Sequence, residues 1–185
     1  HRVDRRQRQM CIRDRSNVLA HVADPLAMLE AARMLLDHDT GLLVIEVQSW
    51  QDLVRLGAFD MVYHEHHSHF SLGSLAALLT AASFSVFDVQ QIKTQGGSLR
   101  LWCRPGGAHA ASVRTMIDDE AVALVSDESE MNAALLRCRD SVTNLLHAAE
   151  GRHIAGYGAA AKTVTLLAAL GSDLGIRRIA DNAPT

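Results

Sequence analysis

His153-Ile-Ala-Gly-Tyr157, Gly158-Ala-Ala-Ala-Lys162, Thr163 to Leu170 and Ile176-Arg-Arg-Ile-Ala180 follow one another near the end of the chain. The first run has the apolar character of a short parallel strand, and the second is a turn of small residues. An apolar helix comes next, then a second strand that closes at Asp181. Strand, glycine-containing turn, helix and strand make a βαβ half-unit, because parallel strands need a crossover connection. The fold class is therefore α/β. Small residues in such a turn also let a backbone approach a phosphate, with Ala161 where a third glycine or alanine is allowed. Gly156 to Lys162 is thus both an ordinary strand-to-helix turn and a candidate ligand segment.

The chain upstream is consistent with that class. Asp24 caps a helix that opens on Pro25, where a missing N–H costs nothing, and Leu26, Leu29, Ala32 and Leu36 recur at helical spacing. Gly41 to Val47 reads as a buried strand. Ser71 or Ser74 starts a helix through Ala81, with Leu72, Leu75, Leu78 and Leu79 on one side. Phe84 to Ile92 and Ser98 to Arg104 alternate as strands, and Gln95-Gly96-Gly97 between them supplies a hairpin turn. From Val113 to Ala149 the pattern is helical and more charged, with Met131, Leu135, Leu136, Val142, Leu145 and Leu146 as core candidates. A helical stretch of this length often links one lobe to another.

Composition excludes several classes. With 185 residues, 48% hydrophobic and 21% charged, the chain is neither disordered nor collagen-like, and three cysteines (Cys11, Cys103, Cys138) are too few and too scattered for a disulfide scaffold. A reduced, cytoplasmic chain is the expectation. No apolar run reaches the roughly 18 residues of a membrane helix, and His1 to Ser16 lacks the apolar region of a secretory signal. The formal charge of -3 is unevenly placed. Residues 1 to 15 hold six arginines and two aspartates, a local +4, which leaves -7 on the rest. A basic arm is a mark of nucleic-acid binders. This one has no lysine, no aromatic residue and no helical apolar period, so a disordered or foreign leader is the preferred reading.

Tyr63-His64-Glu65-His66-His67-Ser68-His69 is the segment richest in chemistry, with four of the ten histidines in six residues. As a strand it would place His64 and His66 on one face and Tyr63 and Glu65 on the other. It reads as a solvated polar loop, as a two-imidazole metal site without a third ligand at motif spacing, or as an acid–base centre. The last fits best, since histidine titrates near neutrality and a neighbouring carboxylate raises its basicity. Gln95-Gly-Gly-Ser-Leu-Arg100 is a further candidate, although a hairpin turn followed by a strand accounts for it.

Taken in order, Asn17-Val-Leu-Ala-His21-Val, Phe59-Asp-Met-Val-Tyr63-His-Glu-His66-His-Ser-His-Phe-Ser71, Gly96-Gly-Ser-Leu-Arg100 and Gly156-Tyr-Gly-Ala-Ala-Ala-Lys162 resemble the nucleotide-sugar C-methyltransferases. The resemblance runs from Asn17 to the C-terminus. It implies S-adenosylmethionine-dependent methylation at carbon 3 of a dTDP-4-keto-6-deoxy sugar. It also implies the C-terminal part of a Rossmann-like methyltransferase domain followed by a partial Rossmann-like C-terminal domain. On this reading residues 1–16 are a leader and 17–110 end the methyltransferase domain and carry the catalytic segment. Residues 111–150 form a linking helical region, and 151–185 begin the C-terminal domain. The main adenosylmethionine loop and a zinc-binding domain would lie upstream, with no metal held by this chain, so the chain alone is expected to be inactive.

By motif match His66 is the expected base, Glu65 and Tyr63 orient or polarise the sugar, and His21 is a further catalytic candidate. Asn17 is expected near the adenosylmethionine pocket. Lys162, Tyr157, Gly158 and Arg100 are expected to hold the dTDP-linked sugar. The sequence departs from the family at Gln95, His69 and Thr163-Val164, all positions of substrate contact rather than of the base. Neither nucleic acid nor membrane is an expected partner. The alternative to an enzyme is a non-catalytic module that binds a nucleotide sugar through Gly156 to Lys162.

Overall fold

The computed structural model describes residues 17–123, 127–149, 151–171, 176 and 178–181. The arginine arm and Cys11 lie outside the described residues, as does residue 185. The chain divides into two compact units: residues 1–53 with 66–125, and residues 54–65 with 126–185. No helix among the described residues is long and apolar enough to cross a membrane.

The first unit is built on three strands. Helix α1 (Pro25–Leu35) starts where sequence places it, with the Asp24 side chain accepting the Ala27 amide at 2.9 Å. Asp37 then accepts the amides of Asp39 and Thr40, turning the chain into β1 (Leu43–Gln48). Helices α2 (Trp50–Leu56) and α3 (Leu72–Ala81) follow, then β2 (Phe84–Ile92), β3 (Ser98–Pro105) and α4 (Ala111–Ala123). Ser71 is the cap of α3 in a reciprocal bond set with Ser74, so both serines named from sequence take part.

The strand order is β1-β3-β2, and β3 runs antiparallel to both neighbours. β1 and β2 are therefore parallel to each other. The β2–β3 hairpin is the expected one, closed by a 3-10 turn over Thr94–Gly96 with Gln95 in the left-handed region. Gly97 has φ 116°, and a Cβ there would overlap the side chain of Asp52 on α2. The second glycine is thus required both by backbone conformation and by close approach. Alternation puts Leu43, Ile45 and Val47 with Leu99, Leu101 and Cys103 on one buried face. Leu29, Leu72, Leu75, Leu79 and Val113 from α1, α3 and α4 cover it.

Residues 48–71 contain more regular structure than their polar composition suggests. Helix α2 occupies Trp50–Leu56 and a 3-10 turn occupies Phe59–Met61. Seven residues make about two turns, too few for helical periodicity to be legible. The histidine segment is not a strand. Residues 64–69 lie outside helix and sheet, so His64 and His66 share no strand face.

The second unit holds α5 (Asp127–Ala148), β4 (Ala155–Tyr157), α6 (Ala161–Leu170) and β5 (Arg178–Ala180). β4 and β5 pair in parallel, Ala155 with Arg178 through Tyr157 with Ala180, so the βαβ half-unit is observed. The stretch expected to be helical over 113–149 is two helices, α4 in one unit and α5 in the other, with 124–126 outside the described residues. Two core candidates are corrected: Leu136 is 56% and Leu145 is 70% exposed. Ala134 is buried instead, because Gly57 (φ 63°) packs against its methyl group. Leu136 lies about 200° around the helix from that contact. Leu145 is on the same face but three turns further along.

Candidate functional site

In the first unit the site grows from the end of β1. Asn17, at φ 61°, donates its amide to the Glu46 carbonyl at 2.8 Å, and a 3-10 turn over Leu19–His21 follows. The Ala20 carbonyl accepts two amides from the histidine segment, His67 at 2.8 Å and Ser68 at 3.2 Å. Downstream, Trp50 donates its amide to the buried Phe70 at 2.9 Å, and Ser49 and Phe70 form an isolated parallel bridge. The irregular stretch 66–70 is therefore pinned at both ends by backbone bonds.

That pinning brings three imidazoles and an indole into sequence. His66, half-buried, meets His21 edge-on with ring centroids 4.7 Å apart and planes at 67°. His69 lies 5.6 Å from His66 on its other side and 5.7 Å from Trp50. Burial holds His69 below the ordinary histidine value, which favours its neutral form. Edge-to-face packing of this kind suits uncharged rings. Neutral imidazole is also the form of histidine that accepts a proton.

The remaining candidates of this unit are placed differently. Arg100 stands directly across from Glu46 in the β1–β3 register and gives it two bonds, at 2.9 and 3.2 Å, while Thr94 gives a third at 3.2 Å. Its guanidinium is thus engaged in a cross-strand ion pair. Gln48 donates to the Gln95 carbonyl at 3.0 Å, which ties the Gly96-Gly97 turn to β1. Two buried amide oxygens have no partner, Asn17 Oδ1 and Gln48 Oε1.

The division between the units falls between Glu65 and His66, so Tyr63 and Glu65 belong to the second. Burial, and then the charge of Glu65, push the Tyr63 hydroxyl above its ordinary value, keeping it a hydrogen-bond donor across the neutral range. His64 and Glu65 approach to 4.0 Å on the surface. In the Gly156 to Lys162 turn, the amides that would cradle a phosphate are already in use. Gly158 donates to the Ala180 carbonyl at 2.7 Å and Ala159 to the Asp181 carboxylate at 2.6 Å. Tyr157 is 74% exposed. Lys162 instead lines a cavity of about 650 Å³ within this unit, together with Phe59, Asp60, Arg137, Cys138 and Thr163.

Sequence reasoning did not single out Trp50, His69, Arg137 or Asp60 as site residues. No spacing marks them, because each reaches its neighbours through tertiary contact. Among the described residues no three histidine, cysteine or acidic side chains gather closely enough to hold a metal ion.

An α/β chain with a pinned histidine segment ahead of a hairpin, a helical stretch and a βαβ half-unit has a recognisable counterpart. Residues 93–185 match the family model of the C-methyltransferase C-terminal domain, and the chain belongs to that family. Among individual proteins it is similar to C-methyltransferase NovU of Streptomyces niveus, with 34% identity over 160 residues that cover 82% of this chain. The chain spans 38% of that relative's length.

Proposed function

We propose that this chain is the C-terminal portion of an S-adenosylmethionine-dependent C-methyltransferase acting on carbon 3 of a nucleotide-linked 4-keto-6-deoxy sugar. Family membership and the likeness to NovU support methyl transfer to carbon. The sugar, its dTDP carrier, the Rossmann-like assignment of both parts and a reduced cytoplasmic setting extend that reading. The order of the four motifs supports the sugar, and the free thiols of Cys103 and Cys138 are compatible with the setting.

One observation carries the mechanism: His66 is held edge-on to His21 by the two amide bonds to the Ala20 carbonyl. A proton on the carbon beside a ketone is acidic because its loss gives an enolate. His66, as neutral imidazole, takes that proton. His21 packs against the ring and fixes its orientation. Tyr63, kept protonated, is the donor for the developing enolate oxygen, and Glu65 orients the sugar hydroxyls.

S-adenosylmethionine supplies an electrophilic methyl group. The residues present fit it, since a buried acceptor without a partner at Asn17 suits the amino and hydroxyl donors of such a ligand. Asn17 would hold it together with groups outside the described residues. Lys162 and its cavity would hold the charged part of the sugar nucleotide, and Tyr157 and Gly158 would flank it. Arg100 would act through Glu46 by keeping β1 and β3 in register.

The protein carrying these residues, given S-adenosylmethionine and a dTDP-4-keto-6-deoxy sugar, is expected to yield the 3-C-methyl product. Replacing His66 by Asn is expected to lower kcat by about 10²–10⁴ with little change in KM. Methylation at another atom, or an unchanged rate in His66→Asn, would sink the proposal.

A further inference from the structure

The cavity of the second unit is built from three separate stretches of chain: the Leu56–Asp60 segment, α5 and the first turns of α6. It brings together two cations, Arg137 and Lys162, which come from different helices. Among the described residues neither makes an ion pair. Two like charges gathered at one cavity repel each other, and a bound anion relieves that repulsion. Thr163 adds a hydroxyl donor, and Asp60 is the one carboxylate among the described lining residues, so the lining keeps an excess of positive charge. The two cations also differ in kind: a guanidinium matches two phosphate oxygens at once, whereas an ammonium acts as a point charge. The volume of about 650 Å³ is within the range of small-molecule sites. It exceeds what a single inorganic ion would fill.

We infer that this cavity is a diphosphate-binding pocket, with Arg137 and Lys162 as its charge-bearing contacts and Thr163 as an additional donor. Asp60 opposes the anion and limits its affinity. The inference deepens the proposed function by naming the groups that take the charged part of the substrate, and it rests on that reading only for the sugar nucleotide.

Cys138, beside Arg137 in the lining, reports occupancy without any turnover. Cys103 will not compete, because burial pushes its thiol up to about 12. In the full chain carrying Cys11→Ser, the rate of Cys138 alkylation by iodoacetamide is measured against inorganic pyrophosphate, orthophosphate and dTDP. Pyrophosphate and dTDP are expected to slow the reaction. Arg137→Ala and Lys162→Ala are each expected to raise the half-protecting concentration about tenfold, which corresponds to roughly 1.4 kcal/mol. Asp60→Asn is expected to lower that concentration, so one variant reports in the opposite direction and loss of folding cannot imitate the whole pattern. Alkylation unaffected by pyrophosphate, equal protection by orthophosphate, protection surviving in the Arg137→Ala/Lys162→Ala double variant, or protection lost in Asp60→Asn would each overturn the inference. The readout needs neither the methyl donor nor His66, so its failure is distinct from failure of the methyl-transfer proposal.

Discussion

The two units use the same kinds of element and reach very different degrees of burial. In the first, Val47, Leu75, Leu79, Val86, Leu101 and Cys103 are sealed from solvent between a three-stranded sheet and the helices packed on it. In the second, two three-residue strands pair with each other, and their residues are intermediate or exposed. The buried residues there include Met61, Ala134 and Leu170, while Leu136, Leu145, Tyr157 and Val164 are exposed. The difference teaches that an amphipathic helix acquires a core only where a sheet is broad enough to receive it. A small sheet leaves room for a cavity lined by long polar side chains instead.

Core truncation should separate the units most strongly. Leu79→Ala removes a side chain with no exposed surface, and is expected to cost about 2–5 kcal/mol. Leu136→Ala should change stability by less than about 0.5 kcal/mol. Native-state amide exchange, read segment by segment, checks both. A comparable loss of protection from the two variants would break the contrast, because Leu136 would then have to pack against something in solution.

Legibility from sequence followed the same division. The elements of the first unit were readable because their signals are local: Asp24 before Pro25, Ser71 with Ser74, and two alternating runs around Gln95-Gly96-Gly97. Helix α2 was not, since only Leu53 and Val54 mark its buried side and the residues around them are polar. In the second unit the βαβ order was legible from apolar runs and glycine, but the buried face of α5 was not. That face is set by Gly57 against Ala134, a contact across some eighty residues of chain that no periodicity encodes. Among site residues, His66 and His21 could be named from the motif and do meet. The turn at Gly158 looked like a phosphate cradle because glycine serves equally well for a ligand and for closing a βαβ turn. Here the second use accounts for its amide. Arg137 was invisible, as a lone arginine on a charged helix has no pattern.

A smaller effect sharpens the comparison within the first unit. Glu120 on α4 is a buried carboxylate whose two oxygens accept the amides of Leu72 and Gly73, each at 2.9 Å. Those amides belong to the first turn of α3, where no intrahelical acceptor exists. Glu120→Ala leaves both donors unpaired and should cost about 1–3 kcal/mol, whereas Glu120→Gln retains one acceptor and should cost less. Urea unfolding followed by the fluorescence of Trp50 and Trp102 measures both. Equal losses in the two variants would show that packing volume, rather than hydrogen bonding, joins α4 to α3.

The smallest expected effect is a pH dependence confined to the same unit. Burial lowers the pKa of His69, so the folded protein binds this proton less readily than the unfolded chain does. Stability is then fully present above the ordinary histidine value of about 6.5 and falls as pH drops through it, because the unfolded state takes up the proton first. One such group contributes a slope of at most about 1.4 kcal/mol per pH unit. Replacing His69 by Gln, which does not titrate, should flatten the stability profile just below neutrality while leaving it unchanged at pH 8. The relevant measurement is the difference in urea midpoint between pH 8 and pH 5.5 for the two proteins. A flat profile in the unaltered protein would mean that His69 is solvated in solution. The ring contacts joining Trp50 to His69 and His69 to His66 would then not persist, and the pinning of His66 would have to come from the Ala20 carbonyl alone.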